Sequence, residues 1–560
     1  MTRSVRGRTK EMIMPKTRTQ HPKACTREHN RCVVKMNGPV RDHPLAIICT
    51  VGPSVSISAP RRDGKYSDPR AHTDLAALVD NGMAAVRINF SHVTKAGFPR
   101  VDRLIAAIRA IERHKRRPIP IIMDLQGPKI RVHRLFVASG RTPVPMADVE
   151  VARGDRVELS TVKSSQPMTP GVKVRLSVLY PKSFLAEVNS GDTVVVGDSD
   201  VFLRVESKAA PATVTCVAQH KGKLAVGKGI DLPDVPGGRL AAGPKDIAED
   251  WEALRHGFDV DLVAQSFVQG ASDVDDLCDM MKENPRGPRP IIAKIETRLG
   301  YERADEILAL DAVFGLMVAR GDLGNMVAYD EIPKVQKALI DKANVAGKPV
   351  IVATQLLESM MHRPRPHRSE PQDIATAIEE GADALMLSGE TAAGDFPLES
   401  VQVMARVIAA SVPIDRRRYL EKFAGNYSVE PFDRIIHVLG YPICELAEVA
   451  NSPFIMSYAT TGISATMISR FRPKMPILAL TPNVVTARLL RLLYTVCPVL
   501  VDPGGADLPR RPEDAIRFCR KVVEELGLVG EFDLPGRHIA LTLQPKIPNV
   551  RSRSIIVFRW

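Results

Sequence analysis

The chain has 560 residues and a mass of 61.4 kDa, a length that suggests about three or four folding units. Its 44% apolar and 25% charged residues match an average globular chain, which excludes a wholly disordered, collagen-like or purely coiled-coil protein. The formal net charge is +13, yet residues 1–43 hold eleven Lys/Arg against Glu11, Glu28 and Asp42, so this tail supplies eight of those charges and the body only five. With 5% aromatic residues and no RNA-module motif, nucleic acid is not an expected partner.

No apolar stretch approaches the roughly 18–20 residues that span a bilayer, so no membrane partner is expected either. The start, MTRSVRGRTKEMIMPK, has no apolar segment of the kind a secretory signal needs. The tail reads as a basic, disordered extension. A cytoplasmic location is expected, with a mitochondrial or plastid transit peptide as the alternative. The eight cysteines are scattered without a framework spacing, which fits a reducing compartment. His21, Cys25, His29 and Cys32 fall close enough together for a zinc site. The polar tail around them lacks a strand-turn-helix pattern, and the spacing reads as an accident of composition.

From Leu45 the texture changes to short β-branched runs alternating with helical patterns, the mark of βα units around a parallel sheet. Runs begin at Leu45, Ala84, Ile119, Val260, Arg289, Val313, Lys348 and Asp383. Eight such strands predict a (β/α)8 TIM barrel over residues 44–136 and 237–412, with the chemistry where strands end. Arg87, Asn89, Ser91, Asp124, Ser266, Lys294, Glu296, Asp322 and Thr354 all close apolar runs. The interruption at 137–236 alternates apolar and polar residues with Gly-Asp turns, which predicts a small antiparallel β-barrel lid domain. Residues 430–560 read as a C-terminal, doubly wound α/β domain with a regulatory role.

Lys294 and Glu296, two residues apart, share one face of a strand. With Asp322 from the next strand end they suit Mg2+ (or Mn2+), which takes one or two carboxylates and completes its shell with water and phosphate. Lys294 can neutralise a transferring phosphoryl group. Gly321 leaves a backbone N–H open to an anion. Thr354 offers a hydroxyl that either meets an enolate and its carboxylate or caps the run QLLESMM. Arg87 and Arg131 add fixed positive charge for phosphate oxygens. An ion-pair network plugging the barrel top is the bland alternative.

CTVGP (Cys49–Pro53), VRINFSH (Val86–His92), DLQGPKIR (Asp124–Arg131) and KGIDLP (Lys228–Pro233) resemble the pyruvate kinase family. So do AKIE (Ala293–Glu296), MVARGDLG (Met317–Gly324), ATQLLESM (Ala353–Met360) and LMLSGETAAGDFPLE (Leu385–Glu399). The resemblance runs in order from Leu45 to the C-terminus. It implies phosphoryl transfer from phosphoenolpyruvate to ADP, giving pyruvate and ATP, the last step of glycolysis, in an allosteric and usually tetrameric enzyme. Carried over, Glu296 and Asp322 bind the metal and Lys294 stabilises the transferring group. The N–H groups of Gly321 and Asp322, with Thr354, hold the substrate carboxylate. Arg87 reaches the phosphoryl group, and Asn89, His92, Arg131 and Lys228 line the nucleotide side.

The departures carry expectations of their own. Potassium-dependent members have Thr, Lys and Glu where this chain has Leu125, Gln126 and Lys129. With Asn89, Ser91 and Asp124, Lys129 marks the monovalent-cation site or its replacement, and the chain resembles the potassium-independent subgroup. K+ is therefore expected not to be required, and Lys129→Glu to create a K+ requirement or abolish turnover. Leu299, Met326-Val327-Ala328, PHRSE (Pro366–Glu370) and Val93 depart from the family pattern without removing a metal ligand. Thr460, Thr461 and Ser464 resemble the family's effector loop for a phosphorylated effector. The family's Gly-rich effector segment is absent from PKIPNVRSRSIIVFRW, where Arg551 and Arg553 are partial substitutes. The competing readings are a metal-dependent carbon–carbon lyase on the same barrel and a catalytically weak regulatory relative.

Overall fold

The computed structural model describes residues 44–560 except 58–72, 139–142, 162–167, 179–184, 186, 198, 211–212, 236–247, 421–422, 424–430, 459, 502–511, 544–545, 548–549 and 552–553. His21, Cys25, His29, Cys32 and Arg553 lie outside the described residues. The eight apolar runs form eight parallel strands: β1 (Ala46–Thr50), β2 (Met83–Asn89), β3 (Ile121–Asp124), β4 (Leu262–Gln265), β5 (Ile291–Ile295), β6 (Val313–Ala319), β7 (Val350–Ala353) and β8 (Ala384–Leu387). They close into a barrel, with Ile47 of β1 in register with Leu385 of β8.

The period of two along each strand sorts its residues between two cores. Ile47, Val86, Ile121, Val263, Ile291 and Leu385 face outward among the helices. Ile48, Ala85, Ile122, Leu262, Ile292 and Ala384 fill the lumen. That phase decides where the polar strand ends point. Thr50, Arg87, Asp124 and Lys294 each lie two residues past a lumen residue, and so top the barrel's inner face.

Helix α1 (Phe98–Lys115) carries Arg109 and Glu112, and α2 (Arg320–Met326) starts directly from β6. The helix Ile332–Ala346 stops at Gly347, whose φ of 72° provides the left-handed turn expected from its sequence.

The sheet inserted after β3 has its own core, which includes Val157, Leu159, Val174, Leu176, Val194 and Val196. Its eight strands run from Val132–Val137 to Ile230–Asp231, and the pairings are antiparallel with one departure. Arg156–Ser160 and Val174–Val178 pair in parallel, which the alternating sequence did not foretell. The thirteen residues between them are long enough for the crossover a parallel pair needs.

The C-terminal sheet sets Ile455–Tyr458, Ile477–Thr481, Val496–Leu500 and His538–Leu543 in parallel, and Ser554–Arg559 adds an antiparallel edge. Helices α3 (Ile463–Ser469) and α4 (Val484–Leu490) pack on it. Leu489 and Leu492 enter the lumen core, so this domain seals the barrel floor. Beside them Arg488 reaches Glu112 Oε2 at 2.6 Å and Asp261 Oδ1 at 3.1 Å. Arg472, fully buried, pairs with Asp383 Oδ1 at 2.5 Å and stacks on Tyr494. Among the described residues no helix is long and apolar enough to cross a membrane.

Candidate active site

Lys294 is the hub of the barrel mouth. Its ammonium lies 3.2 Å from Asp124 Oδ1 and 3.0 Å from Glu296 Oε1, and donates to Ser266 Oγ at 2.7 Å. Asp124 in turn accepts from Arg87 Nε at 2.6 Å, while Arg87 Nη1 donates to Thr50 Oγ1 at 3.1 Å. Burial alone would lower the Lys294 ammonium and raise the Asp124 carboxyl. Their mutual attraction, with Glu296 and Arg87, reverses both, so Lys294 is held charged and Asp124 ionised.

Glu296 and Asp322 converge from neighbouring strand ends, as the sequence led us to expect. Glu296 is fully buried and its Oε2 accepts from the N–H of Phe267 at 2.7 Å. Burial pushes its carboxyl up to about 7; Lys294 opposes that and Asp322 adds to it. Asp322 sits at the mouth, partly exposed, and is held below the usual carboxyl range because Lys129 and Lys294 outweigh its burial. Glu296 Oε1 is buried and faces the Lys294 ammonium at 3.0 Å, an ion pair without an aligned hydrogen bond. Two carboxylates converging at the mouth fit a hard divalent cation that takes its remaining ligands from water and substrate.

Thr354 is strained. A β-branched residue with φ of +67°, followed by Gln355 at +54°, costs on the order of 1–3 kcal/mol for each such residue and persists only where neighbours enforce it. The enforcer is Arg320, a buried side chain whose guanidinium donates to Thr354 O at 2.7 Å, Gln355 O at 3.1 Å and Asp373 Oδ2 at 2.6 Å. Thr354 does not cap a QLLESMM helix, since only Glu358–Met361 is helical there, as a 3-10 turn. Its Oγ1 instead accepts from Gly321 N–H at 2.8 Å and donates to Ala353 O at 2.6 Å. The two groups assigned to the substrate carboxylate are therefore together and engaged with each other.

His92, Arg131 and Arg87 share one electrostatic neighbourhood. Burial first, then Arg131 and Arg87, hold the His92 imidazole below its ordinary value and so neutral. Asn89 Oδ1 accepts from Ser91 N–H at 3.1 Å, which starts a 3-10 turn over Phe90–His92. Lys228 stands on the lid side, paired with Asp200 at 2.7 Å, and Arg131 donates to Gly227 O at 3.1 Å. Lys129 pairs with Asp322 and lies 3.7 Å from Asp231; none of its hydrogen bonds among the described residues reaches Asn89, Ser91 or Asp124. Thr460 and Thr461 are exposed, Ser464 is buried, and Thr460 O accepts from Thr486 Oγ1 of α4 at 3.0 Å.

Three residues escaped the sequence reading. Arg320 closes the apolar strand β6, and an arginine at such a strand end is itself a signal. Asp231 and Asn325 gave none, being a short strand end and a mid-helix amide. Asn325 Nδ2 donates to Asp231 Oδ2 at 2.7 Å and to Gly197 O at 3.0 Å, tying the inserted sheet to α2.

A mouth lined with fixed cations and converging carboxylates, with an inserted sheet tied to its rim, has the charge arrangement that suits an anionic substrate. It defines a barrel phosphotransferase. The family model described as "Pyruvate kinase, barrel domain" matches residues 43–401, and "Pyruvate kinase, alpha/beta domain" matches 438–535. A pyruvate kinase of Sporosarcina psychrophila is 34% identical over 81% of this chain and 71% of its own. One of Thermotoga maritima is 33% identical over 87% and 94% respectively. A crystal structure of a pyruvate kinase from Cryptosporidium parvum superposes with a TM-score of 0.74 at 28% identity, covering 93% of this chain and 97% of that one. The chain belongs to the pyruvate kinase family and is an enzyme of it.

Proposed function

We propose that this enzyme moves the phosphoryl group of phosphoenolpyruvate to ADP, with Mg2+ and without a need for K+. The bond from phosphorus to the enol oxygen breaks, one to an ADP β-phosphate oxygen forms, and the enolate takes a proton at its terminal carbon to give pyruvate. The observation that carries this reading is the Lys294 ammonium held charged between Asp124 and Glu296 at the barrel mouth. It is a preorganised cation facing the place where phosphoryl charge moves.

Glu296 and Asp322 would hold the divalent ion, which when bound would supply positive charge near the transferring phosphoryl group. Arg87, fixed by Asp124 and Thr50, aims a guanidinium at the same group. The substrate carboxylate would take over the Gly321 N–H and the Thr354 hydroxyl from each other. Arg131, neutral His92, Asn89 and Lys228 supply the nucleotide side. Independence from K+ rests on Lys129 standing where potassium-dependent members carry Glu; its ammonium pairs with Asp322 at the mouth and not with Asn89, Ser91 or Asp124. The deciding experiment is ADP-dependent pyruvate formation from phosphoenolpyruvate, measured with and without Mg2+ and K+. Absence of turnover with Mg2+ present overturns the reading.

A further inference from the structure

Two carboxylates compete for Lys129. Its ammonium ion-pairs with Asp322 at the barrel mouth and lies 3.7 Å from Asp231 Oδ2 on the edge strand of the lid sheet. Asp231 is almost fully buried and is fixed by Asn325 Nδ2 at 2.7 Å. Asn325 also accepts from Ser199 Oγ at 2.7 Å, so its amide reads the position of the lid on α2. The lysine stem is confined. It crosses Gly229, where a Cβ would collide with Lys129 Cε, and its ammonium faces the Phe267 ring at 5.7 Å. Lys129, Ile230, Asp231, Phe267 and Met326 line one small cavity, so the ammonium and the second carboxylate share a common space.

We propose that Lys129 is a tethered counter-cation of the divalent-metal site: without metal it holds Asp322, and metal binding moves it to Asp231 on the lid. This rests on the reading of Glu296 and Asp322 as metal ligands. A buried ammonium and a divalent ion repel when they share one carboxylate, and a displaced ammonium left unpaired is strongly disfavoured. Asp231 removes that penalty by offering a second seat. Loading the site therefore tightens the 3.7 Å ion pair between Lys129 and the lid, and the metal must displace Lys129 from Asp322 before it can bind.

The test uses Mn2+ alone as probe, on the full chain without substrates, with free Mn2+ followed by electron paramagnetic resonance. Lys129→Met and Lys129→Gln are expected to bind Mn2+ about tenfold tighter than the wild type, the scale of one charge-assisted contact that no longer has to be broken. A contact effect also survives high concentrations of tetramethylammonium chloride, which screen distant charges. Asp231→Asn is expected to weaken Mn2+ binding severalfold in the wild-type background and to have no effect beside Lys129→Met. Unchanged or weaker binding in both Lys129 variants overturns the proposal. A loss from Asp231→Asn that is equally large without Lys129 overturns the transfer to the lid. Asp322→Asn is the control: if it leaves Mn2+ binding intact, the metal-site reading itself fails, a result distinct from the others.

Discussion

Lys294 and Glu296, two residues apart on one strand, meet at 3.0 Å between ammonium and carboxylate inside a closed barrel. Neither group is exposed enough to exchange the other for water, so each sets the charge of the other. The strand's period of two makes them neighbours, and the barrel makes the pair consequential.

Lys294→Met is expected to lower the rate of pyruvate formation by about 10²–10³-fold, the range for losing one preorganised charge. The chain should still fold. Arg87 continues to neutralise Asp124, and Glu296, already near 7, takes up a proton. A coupled assay beside a thermal melt separates the two effects; an unchanged rate refutes the assigned role.

Metal binding should depend on pH through Glu296. Because its carboxyl in the metal-free protein is raised to about 7, protons and Mn2+ compete for it. Mn2+ affinity without substrate should fall by about tenfold per unit once the pH is well below 7. The same shift fixes the sign of the stability change. A folded value above that of a free carboxyl means that the metal-free protein loses stability as pH rises from about 4.5 through 7. Melting curves of the wild type and Glu296→Gln should diverge over that window, the variant losing less; parallel curves would contradict it.

Turnover should persist when tetramethylammonium replaces K+. Lys129→Glu should then need K+ or stop, because it exchanges a resident ammonium for a carboxylate beside Asp322 and Asp231. A strict K+ requirement in the wild type would remove Lys129 from this role.

Arg472→Met should destabilise the joint between barrel and C-terminal domain by about 3–5 kcal/mol, the range for breaking a buried ion pair. The variant strands Asp383, which still accepts from Val350 N–H but has lost its guanidinium. Adding Asp383→Asn should recover part of the loss, read as a shift in the melting midpoint. Equal midpoints for the wild type and Arg472→Met would show the pair to be dispensable.

Much of this was legible in the residues. The eight barrel strands and their terminal polar groups obey a local rule, since an apolar run of fixed period ends in residues that must meet water, ligand or one another. Arg87, Asp124, Lys294 and Glu296 were found that way. The parallel pair in the lid was not, because alternation sets which face a residue takes and says nothing about strand direction.

The amino-acid order by itself determined the strands, their phase and hence which charges reach the lumen, because period and burial are properties of neighbouring residues. Only the tertiary structure decided that Lys129 meets Asp322, 193 positions away, and that Asn325 holds Asp231 across 94. Such meetings depend on how the inserted sheet is seated over the barrel. That seating is fixed by packing and hydrogen bonds between distant segments, for which no local pattern exists.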